Sequence, residues 1–264
     1  MLVDCHTHIE SFPDSEISGL LNRAHDSNVG LIITAGTTMS SSLRSVELSN
    51  AFQKIFSGIG LHPMDLDREP DHSTIDQLTN LAASSPKTLV LSEIGLDFME
   101  GAPDRAIQFS AFRKQIGIAR EIGLPIVFHS RESHTEVLRV LREERAYEVG
   151  GIMHYFQADQ KIANEVIDLG FYISLARPLL RIPELQKLAS NLPLEKIVLE
   201  TDSAPQPFKN NRDNWTEPKH IKPIAQKLAD IQNRPINEVE RVTTSNIKKL
   251  LGERWKIVAD YVDE

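Results

Sequence analysis

Residues 88–129 carry one complete strand–helix–strand pattern that decides the fold, reading TLVLSEI at 88–94, RAIQFSAFRKQIGIAREIG at 105–123 and PIVFH at 125–129. The two outer runs are short and almost continuously apolar, which is typical of strands buried on both faces of a parallel sheet. The middle segment repeats apolar residues at helical spacing and ends at Gly123, with Pro125 just beyond. This unit predicts two parallel strands connected by a helix.

The same alternation continues in both directions along the chain. Apolar runs separated by segments of helical pattern lie at 2–3, 29–34, 55–61, 88–94, 125–129, 151–154, 171–175 and 196–200. Strands that alternate with helices in this way predict an α/β protein of the (β/α)8 type, a TIM barrel. The helical pattern then continues over 218–231, 236–250 and 253–261, so we expect one barrel domain, 1–264, with extra C-terminal helices.

Length and composition agree with such a barrel. The chain has 264 residues, an ordinary length for one domain of this kind, and a formal net charge of −8. This charge argues against broad electrostatic clamping of nucleic acid, but it leaves room for a phosphate substrate at a metal site. Cys5 is the only cysteine, which excludes an intramolecular disulfide and a cysteine-rich zinc site. We find neither a signal peptide nor a membrane-spanning run, and we predict a cytoplasmic protein.

Side chains that can bind metals follow several of the predicted strands. Asp4, His6 and His8 form a D-x-H-x-H motif after the first run, and residues two apart on a strand point to the same side. Further candidates stand at the carboxyl ends of later runs, where a barrel forms its active site: Glu93, His129, His154 and Asp202. Singly, each has an ordinary explanation, such as a core histidine, a paired carboxylate or a helix cap. Together they favour one metal site.

The donor set indicates which metals to expect. Histidine nitrogens and carboxylate oxygens suit Zn, Mn, Co, Ni or Fe, and they suit Mg less well because of the histidines. Six ligands exceed what one catalytic ion takes from a protein while keeping an open position. We therefore predict two divalent metal ions about 3.5–4 Å apart, bridged by a carboxylate.

Several longer motifs follow one another along nearly the whole chain: DCHTH at 4–8, GLHP at 60–63, SEIGLD at 92–97, Gln108, Phe109, Phe112 and Gln115, PIVFHSR at 125–131, ETDS at 200–203, and Thr244 with Asn246. In this order and at these intervals, the motifs resemble those of the TatD family of metal-dependent hydrolases. Two stretches depart from the family pattern. Residues 155–159 replace part of the usual H-x-F-S-G, and residues 176–181 replace a stretch that is usually rich in Gly and Thr.

The resemblance implies a role for each candidate ligand and an activity. His6, His8 and Asp202 would bind the first ion, Glu93 would bridge both ions, and the second would be held by His129 and His154. The family activity is metal-dependent hydrolysis, and several members are deoxyribonucleases, often acting 3′-to-5′ on single strands. In the corresponding mechanism, Asp202 orients a metal-activated water and deprotonates it as the general base.

Five more residues are candidates for supporting roles. His62, Arg131 and Arg177 are predicted to contact substrate phosphate, which a guanidinium group can bind through two hydrogen bonds. Asp4 and Asp97 are predicted to orient metal ligands without binding a metal themselves. The ordinary alternatives are a solvated loop charge for the arginines, a turn before Pro63 for the histidine, and strand-end capping for the two carboxylates.

The leading hypothesis is therefore a two-metal phosphodiesterase, a deoxyribonuclease with DNA as its partner. The alternative is a metal-dependent esterase or amidase on the same site, such as an aminoacyl-tRNA deacylase or a small-molecule hydrolase. The basic loop residues that bear on this choice are Arg131, Arg177, Arg181, Lys209 and Arg212. A non-catalytic interaction subunit and a metal-free barrel are the remaining hypotheses. We expect a monomer with no obligate protein partner.

Overall fold

The computed structural model describes residues 1–261, so the last three residues of the predicted domain, 262–264, lie outside the described residues. It contains one eight-stranded sheet in which strands that are neighbours along the chain are neighbours in space, and the seven pairings between successive strands are all parallel. The strands are β1 Leu2–Thr7, β2 Val29–Ala35, β3 Ile55–Ile59, β4 Thr88–Asp97, β5 Ile126–Arg131, β6 Gly151–Met153, β7 Tyr172–Leu175 and β8 Ile197–Leu199. The predicted (β/α)8 barrel is confirmed.

The barrel closes where the segment after β8 meets the end of β1. The backbone N–H of Asp202 donates to the carbonyl of His6 at 3.1 Å, and the N–H of His8 donates to the carbonyl of Ser203 at 2.7 Å. This closure matters for the site because it places two predicted metal-binding segments side by side. Their spacing is set by backbone hydrogen bonds and not by flexible side chains alone.

Helices connect the strands and continue after the last one. They are α1 Asp14–Asp26, α2 Met39–Ala51, α3 His72–Ala83, α4 Arg105–Ile122, α5 His134–Glu143, α6 Gln160–Asp168, α7 Pro183–Asn191, α8 Ile221–Gln232, α9 Ile236–Leu251 and α10 Trp255–Ala259. Two predicted helices begin later than expected, because residues 218–220 and 252–254 form short 3-10 turns. No helix within residues 1–261 is long and apolar enough to cross a membrane.

The core consists of strand side chains packed against the apolar faces of the surrounding helices. Every strand contributes to it, which explains why the strand sequences read as continuous apolar runs. The C-terminal helices α9 and α10 add Ile247, Leu251 and Trp255 to a second cluster that includes Val3 and Phe56. The extra helices therefore pack onto the barrel and complete its burial.

Gly95 marks a close approach between two strands that carry candidate ligands. It lies in β4 with a φ of +148°, and a Cβ at this position would lie 2.1 Å from the carbonyl oxygen of His129 in β5. We expect Gly95→Ala to lower the free energy of unfolding by about 2–4 kcal/mol, measured by urea denaturation, through backbone strain and overpacking.

The matched control is Gly117→Ala in α4. Gly117 is exposed and a Cβ there would meet nothing within 4 Å. Alanine should stabilise the helix by up to about 1 kcal/mol. Equal unfolding free energies for the two variants would contradict the role given to the close approach.

Candidate metal centre

The structure brings the six predicted metal ligands together at the carboxyl ends of the strands. His6, Glu93 and His129 lie within β1, β4 and β5, while His8, His154 and Asp202 lie just beyond the ends of β1, β6 and β8. Five of the six side chains are at least 85% buried, and that of Asp202 is 30% exposed. A buried group of ionisable side chains needs partners that compensate for the loss of contact with water.

One oxygen of Glu93 faces the histidine pair of β1. Its Oε2 lies 3.5 Å from His6 Nε2 and 3.6 Å from His8 Nε2. The two Nε2 atoms are 3.3 Å apart, and Asp202 Oδ1 lies 3.4 Å from His8 Nε2 and 3.9 Å from His6 Nε2. These four side chains converge on one small volume, and their donor atoms are the types that divalent transition metals bind.

The other oxygen of Glu93 faces a second set of histidines. Its Oε1 lies 3.0 Å from His129 Nδ1 and 3.0 Å from His154 Nε2. His62 Nε2, from the segment after β3, is 3.4 Å from the same oxygen. One carboxylate therefore stands between two groups of nitrogen donors.

Hydrogen bonds on the outer ring nitrogens determine which atoms face the centre. His8 Nδ1 lies 2.9 Å from the carbonyl of Ala35, which can only accept, so Nδ1 carries the hydrogen and Nε2 is free to bind a metal. His129 is turned the other way, because its Nε2 lies 2.8 Å from Asp97 Oδ2. His129 therefore presents Nδ1 to the centre. This tautomer arrangement fits a metal site, since each ring keeps a lone pair for the ion.

The two carboxylates predicted to orient ligands act in different ways. Asp97 contacts a candidate ligand directly through His129, and its Oδ1 accepts a hydrogen bond from the N–H of Met99 at 2.9 Å. Asp4 is fully buried and accepts from the N–H and the hydroxyl of Thr201, at 2.9 and 2.6 Å. It therefore holds the backbone next to Asp202 and does not touch a ligand ring.

Two buried glutamates near the ligands were missed by the sequence reasoning. Glu200 Oε1 accepts a hydrogen bond from the N–H of Tyr155 at 2.7 Å and lies 3.1 Å from His154 Nδ1, within ion-pair distance but away from hydrogen-bond geometry. Glu10 Oε1 lies 3.5 Å from His8 Nδ1. Glu200 could have been found, because it belongs to the quoted ETDS stretch and ends an apolar run. Glu10 had no comparable signal.

The histidines and carboxylates of the site shift one another's pKa values. Burial alone would raise the pKa of Asp202, but a hydrogen bond from His8 and the charges of the neighbouring histidines lower that pKa to about 2. Burial opposes protonation of His154, yet the charges of Glu93 and Glu200 raise its pKa well above the ordinary value. At Asp202 and His154, neighbouring groups of opposite charge thus favour the charged form of the side chain. A divalent cation would also favour the ionised carboxylates, and its binding would displace protons from the rings.

The three residues predicted to contact substrate occupy different environments. His62 lies within the cluster and, with Glu93 and His129, forms one of the three groups among residues 1–261 whose ligand atoms are close enough together to hold an ion. Arg131 lines the cavity beside the cluster. Arg177 is not among the residues that line it, and its Nη1 donates to Thr216 Oγ1 at 2.7 Å.

An open cavity of about 680 Å³ gives access to the cluster. Its lining includes metal-competent side chains and polar loop residues: His8, His62, Glu93, His129, Ser130, Arg131, Glu132, His134, His154, Tyr155, Gln157, Asp202 and Ala204. The atypical segment after His154 contributes Tyr155 and Gln157 to this wall, while Phe156 is buried in the core. The departure from the family pattern therefore lies where a substrate would enter.

A parallel barrel with a buried histidine–carboxylate cluster at the carboxyl ends of its strands defines the class of metal-dependent hydrolases built on a (β/α)8 fold. Within that class, the family described as TatD related DNase matches residues 3–252 of the chain. The chain belongs to the TatD family.

Individual relatives support this assignment. An uncharacterized metal-dependent hydrolase of Bacillus subtilis, YabD, is 31% identical, with 95% of this chain and 98% of that protein covered. An uncharacterized metal-dependent hydrolase of Escherichia coli, YcfH, is 28% identical, with 94% and 95% covered. The crystal structure of YjjV, a TatD homologue from Escherichia coli, superposes with a TM-score of 0.86 at 25% identity, with 94% of this chain and 97% of that chain covered.

Proposed function

We propose that this protein is a two-metal phosphodiesterase of the deoxyribonuclease type. The observation that carries the proposal is the position of Glu93, whose two oxygens face separate groups of nitrogen donors. A carboxylate between two donor groups is the arrangement that a two-ion site requires. The family description supports DNA as the substrate.

The roles of the side chains follow from their surroundings. When bound, the divalent ions supply Lewis-acid chemistry that activates water and polarises the phosphoryl oxygen. Asp202 stays ionised at neutral pH, because its pKa lies at about 2, and part of its side chain faces the cavity. We assign it the task of orienting the attacking water and accepting its proton. Asp97 keeps the ring of His129 in one orientation throughout.

Arg131 is the side chain best placed to bind the substrate phosphate. It is exposed in the cavity wall, and within residues 1–261 no carboxylate lies within ion-pair distance of its guanidinium. We expect Arg131→Gln to lower kcat/KM for a phosphodiester by roughly ten- to a hundredfold, the loss of a charge-assisted contact. Steady-state kinetics on bis(p-nitrophenyl) phosphate measures this loss.

The control for that variant is Arg241→Gln, which removes an exposed arginine from α9. It should leave kcat/KM for the same phosphodiester at the wild-type value. A loss of similar size in both variants would mean that general charge, and not a contact in the cavity, governs the rate.

The decisive experiment couples metal analysis to a substrate panel. Purified protein is analysed for bound metal and assayed on single- and double-stranded DNA, RNA, aminoacyl-tRNA and neutral esters. Metal-dependent cleavage of DNA with no turnover of neutral esters supports the proposal. Turnover of esters or aminoacyl-tRNA without cleavage of any phosphodiester would replace it with the esterase function. A 5′-labelled single strand tests the predicted 3′-to-5′ direction, since a ladder of shortened labelled products is then expected.

A further inference from the structure

Three basic side chains lie in the segments that follow β7 and β8, close enough for their charges to act on one another. They are Arg177, Arg181 and Lys209, and we call them the basic cluster. A chain of hydrogen bonds fixes part of it. Arg177 Nη1 donates to Thr216 Oγ1 at 2.7 Å, while Gln206 Oε1 accepts from the N–H of Thr216 at 2.9 Å and from Lys209 Nζ at 2.6 Å.

Within the part of the chain that the structure describes, the basic cluster has no carboxylate counterions. Among residues 1–261, no acidic side chain lies within ion-pair distance of its three cationic groups, whereas nearby Arg212 pairs with Glu16 and Glu217. Partial burial and the charges of the two arginines together lower the pKa of Lys209. The chain as a whole is acidic, with a net charge of −8. Three neighbouring cationic side chains that are not paired with carboxylates create a local positive potential, which favours the binding of an anion.

An exposed aromatic ring adjoins the basic cluster. Phe208 is 78% exposed, the largest value among the exposed large hydrophobic residues, and Lys209 Nζ lies 6.0 Å from the centre of its ring. An aromatic face beside cations is the combination with which proteins bind single-stranded nucleic acid, because bases stack on the ring while phosphates contact the charges.

The basic cluster is also connected to the catalytic cavity. Ala204 lines the cavity, and Phe208 and Lys209 follow it in the same loop. Tyr155, another lining residue, belongs to a segment attached to β7, because the N–H of Phe156 donates to the carbonyl of Ser174 at 3.1 Å, and Arg177 and Arg181 follow β7 directly. A strand whose scissile phosphate lay at the metal centre could therefore reach the basic cluster.

We infer that the basic cluster and Phe208 form a second subsite, which binds the part of a single-stranded polynucleotide next to the scissile phosphate. Arg181 and Lys209 take the neighbouring phosphates, and Phe208 stacks on an unpaired base. The inference rests on the proposed phosphodiesterase function and deepens it, since it gives the site a preference for single-stranded polymers over small diesters.

Kinetics with paired substrates tests the subsite in the metal-loaded protein. The substrates are thymidine 5′-p-nitrophenyl phosphate and an oligothymidylate of about eight nucleotides. For Phe208→Ala we expect the ratio of kcat/KM for the oligonucleotide to kcat/KM for the small diester to fall about tenfold, mainly through KM. For Arg181→Gln combined with Lys209→Gln, the slope of log KM against log salt should decrease by about 0.7 for each lost phosphate contact.

Binding measurements separate the base contact from the phosphate contacts. Fluorescence anisotropy is recorded with phosphorothioate oligonucleotides, either with thymine bases or abasic. Phe208→Ala should weaken binding of the base-carrying strand about tenfold and leave the abasic strand unchanged, whereas the double charge variant should weaken both. The controls are Tyr147→Ala, a 48% exposed aromatic before the amino end of β6, and Lys249→Gln in the last turn of α9.

The two proposals can fail separately. If the wild-type protein hydrolyses both phosphodiesters while Phe208→Ala and the double charge variant keep wild-type affinity for the oligonucleotides, the subsite is overturned and the phosphodiesterase function stands. If the wild-type protein hydrolyses no phosphodiester, the proposed function is overturned. Equal losses in the subsite variants and the two controls would also overturn the subsite.

Discussion

Replacing Asp202 with asparagine is expected to lower kcat by about a thousandfold while the protein stays folded, a typical loss for a positioned general base. Asparagine keeps the size of the side chain but removes the negative charge and the ability to take a proton. The backbone at this position has a φ of +51°, a conformation that asparagine tolerates as well as aspartate. The backbone hydrogen bond from residue 202 to His6 is unaffected by the change. The decrease in kcat should therefore reflect a slower chemical step and not unfolding of the protein.

Steady-state kinetics on single-stranded DNA measures this effect, with metal content and the unfolding free energy determined on the same preparation. Asp168→Asn is the matched control, because this residue is exposed at the end of α6, and it should keep the wild-type kcat. Wild-type turnover by Asp202→Asn with its metals bound would show that another group accepts the proton.

The sequence was sufficient to predict the fold because each strand is buried on both faces. An almost continuously apolar run such as TLVLSEI predicts a strand of a parallel sheet. In a closed barrel, the carboxyl end of such a strand lies at the face where active sites form. Strand lengths were less predictable. The eighth run was predicted to continue through Glu200, but β8 ends at Leu199 and Glu200 accepts a hydrogen bond from Tyr155. That contact depends on the turn after β6, which no local pattern in the eighth run reveals.

Sequence patterns could not predict how the histidine rings of the site are oriented. His129 presents Nδ1 to the centre because Asp97, in the neighbouring strand, holds its Nε2. Which nitrogen faces inward depends on this pairing in space and not on the spacing of the two residues along the chain. His62 shows the same limit. It was predicted as a substrate contact, and its position 3.4 Å from Glu93 follows from the place of β3 beside β4.

Replacing Glu93 with glutamine is expected to remove the two metal ions of the proposed centre, and hydrolysis should fall by about a thousandfold or more as a result. The side chain is 4% exposed, and burial is outweighed by the charges of His154 and His62 and by hydrogen bonding, so that its pKa lies well below the ordinary value. Glutamine fills the same space, but its NH2 group can only donate. Whichever way the amide turns, one set of histidine nitrogens loses its acceptor, and the negative charge shared by both sets is gone.

His129→Ala is the comparison for this variant. Of the two oxygens of Glu93, His129 contacts Oε1, so its removal should affect one side of the proposed centre. If Glu93 bridges two ions, His129→Ala should bring the metal content from two ions to about one per chain, while Glu93→Gln should bring it close to zero. Elemental analysis after dialysis against metal-free buffer gives both values, with unfolding curves to verify that each variant is folded. A Glu93→Gln protein that kept one ion at wild-type affinity would contradict the proposal that Glu93 bridges two ions. The site would then hold a single ion that does not depend on Glu93, and the contacts of Oε1 and Oε2 would be ordinary contacts with neighbouring histidines.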